Sequence, residues 1–309
     1  MTETTPGPSG ISDAARQYLT TPPIQRPYPA QDDVAGWEAY VAGIDSAIVA
    51  RRGDVRLPAT VTERVVDGVP TFVARPDGVP EGGPVYLDLH GGALIVGGGE
   101  VCRLTTAATS VGTGLLTWGV DYRMPPRHPF PAAVDDAIAV YRALLVERSP
   151  SEIVVGGLSA GGNIAAALLV RARDEGLPMP AGLVLGTPEV DLTESGDSFL
   201  TNAAFDNILA SSLPANRLYA GSRDLADPRV SPLFADLTGF PPTFLLTGTR
   251  DLFLSNTVRM HRALRAAGVD AELHVFEAMP HGGFGGRTPE DAEVAAERRR
   301  FLAGRLGLG

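Results

Sequence analysis

From Val34 the apolar positions keep a helical period: Trp37, Val41, Ile44 and Ile48 recur at spacings of 4, 3 and 4 and share one face. That spacing predicts a helix over Val34–Val49. Ahead of it, residues 1 to about 30 are rich in Pro, Thr and Ser and are expected as a loose arm. From about Thr60 the texture changes. Short apolar runs predict strands at Val61–Val66, Thr71–Arg75, Val85–His90, Leu115–Val120, Glu152–Gly156, Gly182–Leu185, Thr243–Thr247 and Ala271–Phe276. Helical patterns fall between and after them, at about Pro131–Val146 (Val134, Ile138, Tyr141 and Leu145 inward), Asn163–Arg173, Asn256–Ala267 and Pro289–Leu306 (Val294, Phe301 and Leu302 inward). Strands alternating with helices predict an α/β protein with a mostly parallel sheet. The Glu297-Arg298-Arg299-Arg300 run in the last helix reads as a solvated face. Asp191–Gly239 has weak periodicity and many turn residues, and reads as an inserted cap element rather than a core strand.

Composition narrows the chemistry. A chain of 309 residues, 44% hydrophobic and 20% charged, has enough apolar material for a large core without a disulfide or metal staple. The net charge of −10 argues against nucleic acid and anionic membrane surfaces as partners. All 26 basic residues are arginine. Without lysine there is no Walker A loop, no Schiff-base enzyme, no kinase and no Ser-x-x-Lys acylase. A single cysteine, Cys102, forbids an internal disulfide and reads as a buried thiol in a reducing compartment. Met1–Gly10 lacks the features of a secretory signal, and no apolar run reaches membrane-spanning length, so the expected setting is cytoplasmic. There is no H-E-x-x-H, no paired C-x-x-C and no G-x-G-x-x-G opening a helix, so neither a metal nor an organic cofactor is expected in the reaction.

The strongest local signal is Gly157-Leu158-Ser159-Ala160-Gly161, directly between the apolar strand Ile153–Gly156 and the helix from Asn163. A G-x-S-x-G pentapeptide in that context presents its serine on a strained strand-to-helix turn, and the flanking glycines leave room for strand and helix to pass. A second glycine loop, His90-Gly91-Gly92-Ala93, ends the strand Val85–Leu89 at the same edge of the sheet. Backbone N–H groups of Gly91, Gly92 and Ala93, with that of Ala160, are candidates to hold an oxyanion. His90 itself reads as a brace for the loop. A serine nucleophile needs a base, and the base an orienting carboxylate. Of the five histidines, His261 falls in a helix and His274 in a strand, while His281 sits in a turn just past the final strand. Asp251 follows the strand Leu245–Thr247. The chain order Ser159, Asp251, His281 is the order of the α/β-hydrolase triad.

With these residues in hand, the chain resembles the hormone-sensitive-lipase branch of the α/β-hydrolases, the bacterial family IV carboxylesterases. The resemblance rests on His90-Gly91-Gly92, Asp121-Tyr122-Arg123, His128-Pro129-Phe130-Pro131-Ala132, Gly157–Asn163, Asp191-Leu192-Thr193 and the Asp251 and His281 turns, over roughly residues 60–305. It implies an α/β-hydrolase fold, a central eight-stranded, mostly parallel sheet with helices on both faces and a helical cap. The cap would comprise an N-terminal segment, 1–55, and an inserted element at about 190–239 within a catalytic domain, 56–309. It implies a serine esterase acting on short-to-medium acyl esters through Ser159, Asp251 and His281. A lactonase or amide hydrolase on the same triad stays open. A receptor of the same fold is disfavoured because both serine and histidine remain. The expected partner is a small-molecule acyl ester or lactone, and family members often form a homodimer through the last strand and helix. Trp37, Tyr40, Phe199 and Phe205 suggest a modest apolar pocket. Five positions depart from the family pattern: Leu158 before the serine, Ala93 for a third glycine, Arg127 for glutamate, Ser255 for a second aspartate, and Glu189 for an aromatic residue.

Overall fold

The computed structural model describes residues 8–22, 27–52, 55–80 and 82–308. In chain order the strands are β1 (Ala59–Val66), β2 (Val69–Pro76), β3 (Val85–Leu89), β4 (Leu116–Val120), β5 (Ile153–Leu158), β6 (Gly182–Gly186), β7 (Thr243–Gly248) and β8 (Ala271–Phe276). They form one eight-stranded sheet, ordered β1-β2-β4-β3-β5-β6-β7-β8. The β1–β2 and β2–β4 pairs are antiparallel and all others parallel. All eight predicted strands are present. The interior strands β3 to β7 are buried on both faces, which explains why they read as continuous apolar runs rather than alternating ones.

Helices α1 (Asp13–Tyr18), α2 (Val34–Arg52), α3 (Glu100–Thr113), α4 (Ala132–Glu147), α5 (Ala160–Asp174), α6 (Ser198–Thr201), α7 (Leu213–Ala220), α8 (Leu254–Ala266) and α9 (Pro289–Leu306) complete the fold. One face of the sheet, carrying Val85, Leu87, Leu89 and Val155, packs on α4, α5 and α8. The opposite face, with Tyr86, Val154, Val184 and Phe244, meets α1 and α9 through Ala15, Phe301 and Leu302. A smaller cluster joins Trp37 and Ile44 of α2 to Ile95, Val96 and Ala215. Among the described residues no helix is long and apolar enough to cross a membrane.

Four expectations need correction. The N-terminal arm is not loose throughout, although 1–7 and 23–26 lie outside the described residues. Ser12 caps α1 through its side chain, and Glu290 accepts from both its N–H and its hydroxyl, at 2.6 and 2.8 Å. Helix α3 was not predicted at all. Its buried positions include Cys102, Thr106, Ser110 and Thr113, so polar residues mask the apolar period. Helix α5 begins at Ala160 rather than Asn163, since glycines and alanine hide its first turn. The arginine run of α9 is not merely solvated: Arg299 donates to the carbonyls of Gly112 and Val111 at the C-terminus of α3, at 2.9 and 2.8 Å. Trp37 and Tyr40 stack with Tyr28, Phe199 packs on Phe253, and Phe205 is exposed.

Candidate active site

The site forms where β3, β5, β7 and β8 end. Ser159 stands between β5 and α5 with φ +57° and ψ −122°, a strained conformation for a residue with a Cβ. Its surroundings enforce the turn. The Ser159 N–H donates to Gly186 O at 2.8 Å, and its carbonyl accepts from Gly162 and Glu189 N–H at 2.9 and 3.1 Å. A Cβ on Gly157 would lie 2.2 Å from the Gly161 carbonyl carbon, and one on Gly161 would lie 1.8 Å from Leu89 O. Both glycines are therefore steric requirements of the crossing. Helix α5 starts directly behind the serine and aims its N-terminal dipole at it.

Asp251 and His281 come from the turns after β7 and β8, which are laced together. Ala278 N–H donates to Thr249 Oγ1 at 2.8 Å, and a Cβ on Gly248 would sit 2.0 Å from Met279 O. The result brings all three predicted residues into one line. His281 Nε2 is 2.8 Å from Ser159 Oγ, and His281 Nδ1 is 3.0 Å from Asp251 Oδ1. All three are buried. Asp251 Oδ1 also accepts from Phe253 N–H at 2.9 Å, and Thr247 Oγ1 donates to Oδ2 at 2.7 Å. Every oxygen of this fully buried carboxylate is satisfied. Burial pushes the His281 imidazole down, but the hydrogen bond and charge of Asp251, with Asp206 and Glu189, overcome that and leave its pKa raised above the ordinary value. Phe253 covers the ring edge-on at 4.8 Å between centroids.

The loop Gly91-Gly92-Ala93 faces the same point. A Cβ on Gly91 would be 2.8 Å from Leu158 O and 3.4 Å from Ser159 Cβ, so its backbone lies flat against the serine turn. Gly92 has φ +139°, with room for no side chain, and its carbonyl accepts from Ile95 and Val96 N–H. Ala93 takes a left-handed φ of +49° without being glycine. His90 braces the loop as expected: it stacks flat on Tyr122 at 4.1 Å, its Nδ1 reaches Gly91 O at 2.9 Å, and Tyr122 OH donates to His90 O at 2.6 Å. Ala160 is buried at the first position of α5, beyond the reach of an intrahelical partner for its N–H.

Sequence reasoning missed two contributors. Thr247 holds the second Asp251 oxygen, but nothing marks a strand threonine as a carboxylate partner. Glu189, noted only as a departure, is 1% exposed. Its N–H bonds Ser159 O, its carbonyl accepts from Asn163 Nδ2 at 2.8 Å, and neither carboxyl oxygen has a partner. Burial first, then Glu194, raises its pKa to about 8 against the opposing pull of Asn216 and His281.

Comparison with known proteins agrees with this geometry. A family profile described as the alpha/beta hydrolase fold matches residues 86–284. An esterase of Acinetobacter venetianus is 35% identical over 199 residues, covering 63% of this chain and 66% of that one. Among solved structures, the esterase E25 superposes with a TM-score of 0.90 at 37% identity, covering 97% of this chain and 96% of that one. An esterase from the bacterial hormone-sensitive lipase family superposes with a TM-score of 0.79 at 32% identity, covering 95% and 96%. The chain is a carboxylic ester hydrolase and belongs to the hormone-sensitive-lipase-like family IV esterases of the α/β-hydrolase superfamily.

Proposed function

We propose that this esterase cleaves short-to-medium acyl esters through a covalent acyl-enzyme, with Ser159 as nucleophile, His281 as base and Asp251 as orienting acid. The observation that carries the reading is the continuous contact from Ser159 Oγ through the imidazole to the Asp251 carboxylate. His281 Nε2 takes the hydroxyl proton as Oγ attacks the ester carbonyl, then returns it to the leaving alcohol. Water repeats the sequence on the acyl-enzyme and releases the acid. Asp251 holds the tautomer with a proton on Nδ1 and stabilises the imidazolium. The N–H groups of Gly91, Gly92, Ala93 and Ala160 take the oxyanion. The reading extends to a cap formed by 1–55 and about 190–239, supported by the cluster that joins Trp37 of α2 to Ala215 of α7. It also includes a cytoplasmic setting and a homodimer through β8 and α9.

The test is turnover of p-nitrophenyl esters from acetate to dodecanoate beside a Ser159→Ala variant. Hydrolysis that peaks at short chains and vanishes in the folded variant supports the reading. Undiminished turnover by Ser159→Ala, or a peak at dodecanoate, overturns the nucleophile or the chain-length preference respectively.

A further inference from the structure

Beneath the glycine loop, on the face of the sheet covered by α3, lies a cluster that ester hydrolysis does not use. Ligand atoms of His90, Cys102 and Asp121 all fall within 4.8 Å of one another. His90 Nδ1 is engaged with Gly91 O, so its N–H points there and Nε2 presents a lone pair. That Nε2 is fully buried and has no partner. The charges acting on the Cys102 thiol are those of Asp121 and Asp88, both negative. Asp121 is only half-buried, and its Oδ1 accepts from Gly99 N–H at 2.9 Å. Gly98, beside it, lines an open depression of about 410 Å³ whose rim also carries Asp45 and Glu100. A buried base, a buried thiol and a half-buried carboxylate thus lie close together.

We propose that His90 Nε2, Cys102 Sγ and Asp121 form a binding site for a zinc-class divalent cation. One nitrogen, one sulfur and one oxygen are the donor set such an ion selects. Binding replaces the thiol proton by the metal and releases that proton to solvent; no electron is transferred. Zinc-class bond lengths require nitrogen and sulfur about 3.6 Å apart. The cluster must therefore contract on binding, and it pulls on His90, the residue directly before Gly91. A displacement of about 1 Å there would slow ester hydrolysis ten- to a hundredfold.

Cadmium provides the test, because its thiolate charge-transfer absorption can come only from the single cysteine of the chain. Titration of the intact protein with cadmium should develop the band at one equivalent, with a matching loss of turnover. Cys102→Ser should abolish both the band and the inhibition. Asp121→Asn, which keeps an oxygen for Gly99, should retain the band but bind at least tenfold more weakly. Absence of the band overturns the site. A band whose affinity is unchanged by Asp121→Asn reduces it to an isolated thiol and also overturns it. Binding with undiminished turnover overturns the coupling to the loop.

Discussion

Glu189→Gln removes a buried ionisable group while keeping its shape, and the expected effect on stability is large. In the unfolded chain the carboxyl titrates near its ordinary value of 4.5, whereas in the fold burial holds it at about 8. A carboxyl whose folded pKa is raised gives its full stability below the unfolded value and loses it as pH climbs to the folded one. Between pH 4.5 and 7 the unfolded chain gives up this proton and the folded chain keeps it. At ~1.4 kcal/mol per pH unit, folding weakens by about 3 kcal/mol over that interval. The side chain is 1% exposed, so solvent screening does not reduce the figure much. Glutamine never ionises and escapes the loss. Denaturant unfolding of both proteins at pH 5, 6, 7 and 8 measures this directly. The variant should gain on the parent steadily with pH, by about 2–3 kcal/mol from pH 5 to 7. Parallel stability curves would refute the reasoning and mean that Glu189 is ionised in the fold.

The remaining predictions concern the line of three residues and its supports. Only neutral His281 can accept the serine proton, so kcat/KM should fall in acid with a midpoint above 6.5, because Asp251 outweighs burial and raises the imidazole; a midpoint below 6.5, or a flat profile to pH 5, contradicts the assignment. Asp251→Asn should cost about 10⁴ in kcat on p-nitrophenyl acetate by presenting the wrong tautomer. Thr247→Val leaves Asp251 Oδ2 without its 2.7 Å donor and should cost about 1–3 kcal/mol in denaturant unfolding. Gly161→Ala drives a Cβ to 1.8 Å from Leu89 O and should destabilise by at least about 1–3 kcal/mol. Gly304→Ala, on an open face of α9, should instead stabilise by up to about 1 kcal/mol. Equal melting temperatures for these two glycine variants would undermine the steric account.

Much of the site was legible because its parts obey local rules. The strand-to-helix turn at Ser159 requires glycines at 157 and 161 whatever surrounds it, and apolar runs bounded by turns mark the strands that carry Asp251 and His281. The sheet was legible for the same reason. What escaped depends on neighbours distant in sequence. Helix α3 is amphipathic in a manner that hydrophobicity does not register, because its inner face pairs threonine and serine hydroxyls with its own carbonyls: Thr106 with Cys102, Ser110 with Ala107, Thr113 with Thr109. Helix α1 is held by Glu290, some 278 residues away, which no local pattern encodes.

The departures from the family pattern now separate into different kinds. Arg127 forms a 2.7 Å ion pair with Glu38 of α2, exposed on both sides and worth about 1 kcal/mol or less. Ser255 exchanges two 2.9 Å hydrogen bonds with Ser198, its hydroxyl accepting from Ser198 N–H and its N–H donating to Ser198 Oγ, so it joins α6 to α8. Leu158 is 41% exposed and reaches the space beside Gly186 and Gly282, outside the line of hydrogen bonds. The first two of these are settled by contacts between helices, whereas Leu158 lies directly beside Ser159. Ala93 belongs to the glycine loop and holds a left-handed backbone despite its methyl group. Glu189 differs in kind. Its backbone is pinned to Ser159 and Asn163, its charge is felt by His281, and its carboxyl has no partner of its own. A carboxyl buried in this way is costly to keep, which sets it apart from the other four departures.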